Sequence, residues 1–263
     1  MDADFSKVQP NDQNNDQNNA QNELWDIEWL KQRREYFLTQ LSQLSFHRHM
    51  EILLSPTISR LDIAHENLQR IALKSHANGN GWPIGAVMLE DPTRKPKPKV
   101  DGIVSQITGI DGKSLNYSYF RKSGQVFIAR SLFEEYGFPA SILPDRRIRQ
   151  TTELLKYVIA YYKECKLPVD EPIRIDVTYS GFRGNDIRRG LGGDPIIKRV
   201  SEENECTLSL IASISEIEAR LSEFVDALTR DFFILFELFS VSFDEVEDLV
   251  ADTAQKIKRE VSY

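Results

Sequence analysis

The stretch LNYSYFRKSGQVFIARSLF, residues 115–133, limits the fold more than any other part of this chain. Two runs rich in aromatic and β-branched residues stand on either side of Ser123-Gly124, at the spacing of a β-hairpin. Strands joined this closely lie antiparallel. Further strand-like segments surround them. WPIGAVMLE and VDGIVSQITGI come before, and PIRIDVTYS and ECTLSLIAS come after. Upstream, SFHRHMEILLSP alternates before running apolar and reads as a strand ended by Pro56.

Helical periodicity separates these segments. ELWDIEWLKQRREYFLTQLSQL, starting at Glu23, carries Leu24, Ile27, Leu30, Phe37, Leu41 and Leu44 near one stripe, with Trp25 and Trp29 on a neighbouring one. A second helix is expected around Ile63, Leu68, Ile71 and Ala72, with Ser59 or Asp62 as cap and Gly79 as stop. A third covers residues 151–165 with Leu155, Val158, Ile159 and Tyr162 on one face, capped by Thr151 or Thr152. Two helices end the chain, opened by Ser215 with Glu218 and by Ser242 with Glu245 at capping-box spacing. The first of these, through DFFILFELF, is apolar nearly all round, so the core or a partner buries it. The order α-β-α-β-β-β-β-α-β-β-α-α predicts an α+β fold. It is a single domain over residues 23–263, with a mixed or mainly antiparallel sheet covered by helices and a C-terminal helical pair. Residues 1–22 hold the tract PNDQNNDQNNAQN and are expected to be a disordered polar leader.

Charge is unevenly spread. The net charge is −7 overall, divided as −4 over residues 1–90, +7 over 91–200 and −10 over 201–263. The middle of the chain is therefore where a polyanion would be met, unless basic loops and acidic helices merely solvate different faces. Two distant cysteines, Cys165 and Cys206, make no disulfide framework, and the first residues lack an apolar signal region. Phe232–Phe236, the longest apolar run, is too short to cross a bilayer. A cytoplasmic protein with no membrane segment is expected.

Three basic clusters are candidates for anion or nucleic-acid binding. In DPTRKPKPKV, prolines alternate with Lys95, Lys97 and Lys99 and hold the backbone extended, as a row of charges along phosphates or as a stiff soluble linker. In DRRIRQTTELL, Arg146, Arg147 and Arg149 stand just ahead of a helix. There they call for an anion or an internal carboxylate such as Glu134 or Glu135. In YSGFRGNDIRRGLGGDP, five glycines accompany Arg183, Arg188 and Arg189, either as a phosphate contact or as a loose connector. This last segment lacks the P-loop and dinucleotide-binding patterns. His47, His49 and Glu51 alternate along one strand face, and with His65 from the next helix they are weak candidates for a metal site. Equally, they form the solvent-facing side of a strand whose Phe46, Met50 and Ile52 face the core. No catalytic motif is present, no catalytic residue is assigned and no cofactor is expected.

Several blocks taken together resemble a family. ELWDIEWL, GWPIGAVML with Pro96, Pro98 and DGIV, YSYFRKSGQVFIARSLFEE, RRIRQTTELLKYVIAYY and the SGFRG corner resemble one particular region of the bacterial Schlafen/AlbA-like DNA-binding or ATP-binding proteins. That region lies downstream of their DNA-binding domain. Its match spans roughly residues 23–250. The family's AlbA-like domain would precede these blocks, whereas here a 22-residue polar leader does; Met1 favours a free-standing version. The resemblance implies a non-catalytic regulatory or interaction module of a nucleic-acid-associated or defence-type system. Its partner is expected to be a protein or a second copy of the chain, through the C-terminal helices. Direct RNA or single-stranded DNA binding through the basic middle region, and a metal-dependent enzyme, are the alternatives.

Overall fold

The computed structural model describes residues 26–44, 48–58, 61–75, 84–85, 95–108, 114–132, 141–188, 195–197, 200–238 and 241–260. The hairpin around Ser123-Gly124 forms as the sequence predicts. β4 (Leu115–Arg121) and β5 (Val126–Ser131) pair antiparallel, with Ser118 opposite Ile128. Gly124 has φ +84, and a Cβ there would lie 2.7 Å from Leu61, so only glycine fits this turn.

The hairpin is the middle of a larger sheet. β1 (His49–Pro56), β2 (Lys97–Lys99), β3 (Gly102–Thr108), β7 (Pro172–Ser180) and β10 (Glu205–Ser213) join it in the order β10-β7-β1-β5-β4-β3-β2. Every pairing in this seven-stranded sheet is antiparallel. A small mixed sheet, β6 (Ser141–Ile142), β8 (Asp186–Arg188) and β9 (Pro195–Ile197), stands beside it. The fold is α+β.

Each sheet face has its own cover. Helix α1 (Ile27–Leu41) starts at the Asp26 cap and lays Trp29, Phe37 and Leu41 on Leu115, Tyr117, Tyr119, Phe127 and Ala129. The other face carries Met50, Ile52, Leu54, Ile128, Ile175 and Val177. It is covered by α2 (His65–Lys74) and α3 (Pro144–Glu164), with α4 (Ile214–Ala219), α5 (Leu221–Ile234) and α6 (Phe243–Glu260) against α3. Because side chains alternate along a strand, the register of the pairing assigns each residue to one cover or the other.

The helix ends depart from expectation in informative ways. α3 begins at Pro144, seven residues before Thr151, because a proline at the first helical position supplies the φ that the turn needs. Thr151 and Thr152 are therefore interior and buried, and Thr152 bonds back to the Ile148 carbonyl at 2.8 Å instead of capping. The capping box after β10 is Ser213 with Glu216, two residues before the expected pair. Strand β10 runs straight into the helix and leaves Ser213 as its first free hydroxyl. Three helices, not two, follow β10. Ser242 does accept from the Glu245 amide at 3.3 Å, as its spacing predicts. α2 has Ala64 as its N-cap and Ser75 as its C-cap, so Asp62 does not cap it; Ser59 and Gly79 lie outside the described residues.

Three phenylalanines of the apolar run Phe232–Phe236 are buried by the chain itself. Phe232, Phe233 and Phe236 pack with Phe182 and Tyr179, the Tyr179–Phe232 rings lying 4.5 Å apart. Each such ring contributes about 1.5–3 kcal/mol by leaving water. Among the described residues, no helix is long and apolar enough to cross a membrane. Residues 1–25, which include the leader and Trp25, and most of WPIGAVMLE lie outside the described residues.

Candidate nucleic-acid interface

Lys97 and Lys99 of KPKPK enter the sheet in its outermost strand, and Lys95 stands at the bend just before it. Lys97 pairs opposite Val104, Pro98 opposite Ile103 and Lys99 opposite Gly102. Pro96 is buried, whereas Lys95, Lys97 and Lys99 are exposed. Residue alternation sends the lysines to the α1 side of the sheet, the side of Val104, Gln106, Tyr117 and Tyr119.

Helix α1 supplies the opposite wall. Arg33 and Tyr36, three apart and so on one helical face, stand over β3 and β4. Between the walls is a cleft of about 470 Å³ lined by Arg33, Tyr36, the three lysines, Val104, Gln106, Thr108 and Tyr117. Its polar groups are ordered. The Tyr36 hydroxyl donates to Gln106 Oε1 at 2.7 Å, and the Tyr36 and Tyr117 rings lie 5.3 Å apart, tilted by 45°. The Arg33 guanidinium lies 4.9 Å from the centre of the Tyr119 ring and close to the Tyr117 hydroxyl. Arg33 Nε is buried with no hydrogen-bond partner among the described residues.

Burial acts on the phenols of the cleft and of its floor. Burial raises the Tyr117 phenol above its ordinary value, against the pull of Arg33, so it remains a neutral donor. Burial also raises Tyr119, which donates to Asp101. Asp101 in turn accepts from Arg121 at 3.2 Å. Among the described residues the lining holds four cations and no carboxylate, histidine or thiol.

The arginines of the α3 cluster lie on the other face of the sheet. They are not ahead of the helix but in its first two turns. Arg147 is 0% exposed and is buried with Arg48, Arg130 and Tyr179. Burial pulls the Arg147 guanidinium down to about 9 and that of Arg130 to about 10, with Glu153 opposing the latter shift. Arg149 is held by Asp252 and by Thr253 of α6, the latter at 3.2 Å. Arg146 is half-buried and adds to the positive field at Arg130. Glu134 and Glu135 lie outside the described residues.

The glycine-arginine segment is a stapled corner at its start. Gly181 and Gly184 have φ +89 and +83, and the Asn185 amide donates to the Phe182 carbonyl at 2.9 Å. Phe182 is fully buried and anchors the turn, which leaves Arg183 exposed with its Nε donating to the Glu202 carbonyl at 2.9 Å. Arg188 belongs to β8, its side chain lies outside the described residues, and so does Arg189. From β2 to β7 is five strand positions, about 24 Å across the sheet. The lysine cleft, the α3 arginines and Arg183 thus occupy three separate places.

The histidines do not come together either. His49 and Glu51 share a strand face and lie 3.2 Å apart. That face is buried under α1 and not solvent-facing, and Arg34 also bonds Glu51 at 3.0 Å. His65, on α2 at the opposite face, bonds the Lys99 carbonyl at 2.7 Å; His47 lies outside the described residues. Among the described residues no three side chains form a metal-ligand group. Both cysteines are free thiols pushed up to about 12 by burial, so neither is a thiolate near neutrality.

Sequence reasoning found the lysines and missed Arg33, Tyr36, Gln106, Thr108 and Tyr117. A signal existed for two of them: Arg33 and Tyr36 flank the Phe37–Leu41 stripe of an amphipathic helix, where a second face would begin. Comparisons with protein-family models, with curated proteins and with solved structures return no match to the chain, so the chemistry of the cleft rests on its own residues.

Proposed function

We propose that this chain is a non-catalytic module that binds single-stranded RNA or DNA in the cleft between α1 and β2–β3. The observation that carries this reading is the lining: four cations and two tyrosines with no acidic group among them. Alternate residues of an extended strand repeat every ~6.7 Å. Lys97 and Lys99 therefore follow the spacing of successive phosphates in an extended strand of nucleic acid, and Lys95 continues the row just before the strand. Tyr36, 43% exposed, offers a ring face on which a base stacks, worth about 1–3 kcal/mol. A duplex would bring phosphates to the lysines but no free base to the tyrosine. The resemblance to the Schlafen/AlbA-like proteins agrees with a regulatory or defence-type role for such a module.

Fluorescence anisotropy with short labelled oligo-U and oligo-dT tests the reading. Four phosphate contacts give a slope of log affinity against log salt of about −2.8, since each contact on a single strand contributes about −0.7. A duplex of the same length binds more weakly. Absence of binding at low salt, or equal affinity for duplex, overturns it.

A further inference from the structure

The seven-stranded sheet has two edges, and they are built differently. At β2 the edge is three residues long, and Pro98 and two lysines keep another strand away. At β10 it is nine residues long, ECTLSLIAS, without proline, lysine or arginine. β10 pairs with β7 along its whole length, and among the described residues no strand lies on its outer side. The outward-pointing amides and carbonyls of such a strand form a template for one more strand. Ile211, at 58% exposure, stands on this edge.

We propose that the outer edge of β10 joins a second copy of this chain by antiparallel pairing of β10 with its own counterpart. The composition of the strand selects this occupant. A two-fold axis through Ser209 sets Ser209 against Ser209, Thr207 against Ile211 and Glu205 against Ser213 on one face. On the other face Leu208 meets Leu210 and Cys206 meets Ala212. No like charges oppose each other, and Thr207–Ile211 is a β-branched cross-strand pair that covers the exposed isoleucine. Glu205, the single charge on β10, is already held by Arg34 at 3.2 Å and by Ser180 at 2.5 Å. The same pairing at β2 would set lysine against lysine. With the axis perpendicular to the sheet, two sheets become one, and the two clefts open on the same face at its far ends.

Sedimentation equilibrium over a range of concentrations tests this, independently of any ligand. The wild-type mass rises from 30.3 kDa towards twice that value. Ser209→Lys and Ser209→Glu, each at an exposed position, put like charges directly opposite and keep the chain monomeric, while an equimolar mixture of the two restores the dimer. Circular dichroism confirms that both variants are folded. Their oligonucleotide affinity matches wild type, because the cleft lies at the opposite edge. A wild-type chain that stays monomeric at its highest attainable concentration overturns the proposal. So does a dimer that persists in Ser209→Lys, since it is held elsewhere or through another strand.

Discussion

The lysines of β2 and the arginines at the start of α3 carry the same charge and have opposite fates. Lys95, Lys97 and Lys99 are exposed along a sheet edge, beside a cleft with no carboxylate among the described residues of its lining. Arg147 has lost its water entirely, and Arg149 is tied to α6 through Asp252. Desolvation costs a buried cation several kcal/mol, which only close partners offset. A cluster of cations in a sequence is thus one pattern with two uses, and position relative to the sheet decides between them. The lysines on the α1 side stay exposed at the sheet edge, and Arg147 on the α3 side is part of the interior.

Four variants sharpen or break that contrast. The largest effect is expected from Arg147→Ala, which empties a fully buried site among Arg48, Arg130 and Tyr179. Through the cavity left by a large buried side chain it should cost about 2–5 kcal/mol in urea-induced unfolding, while the fraction that remains folded binds oligonucleotide as before. Next, replacing Lys95, Lys97 and Lys99 together by alanine should flatten the salt slope by about 2 and leave stability within about 0.5 kcal/mol per site. Third, Tyr36→Ala should weaken binding by about 1–2 kcal/mol without changing the salt slope, since it removes stacking and no charge. The smallest effect belongs to Arg183→Ala: anisotropy and unfolding curves should both stay within about 0.5 kcal/mol of wild type. A large loss of affinity in Arg183→Ala would place the ligand at the glycine corner and break the comparison.

The strands were legible because their patterns are local. Alternation and the Ser123-Gly124 turn suffice to draw β3, β4, β5, β7 and β10, and Pro56 ends β1 as a strand proline does. The start of α3 was not, because Asp145-Arg146-Arg147 is polar and carries no apolar period, although Pro144 was the available signal. His49 and Glu51 read as a solvent-facing pair because nothing near them in sequence says that α1 will lie over them. The cleft has the same history. Its lysines stand out as KPKPK, but Arg33 meets them only when α1 crosses β4 and β5, some sixty residues away in the chain.

Arg33 has a consequence of its own. One side of its guanidinium rests against Tyr119, whose other neighbours are the ring of Trp29, edge-on at 5.4 Å, and the carboxyl of Asp101. The other borders the cleft. A phosphate arriving there is therefore linked to the docking of α1 on its sheet, and ligand and helix hold each other by mass action. At a hundredfold excess over the dissociation constant that linkage amounts to about 2.7 kcal/mol. Amide hydrogens of α1 would then exchange more slowly in the presence of the strand they grip, making the helix itself a gauge of occupancy.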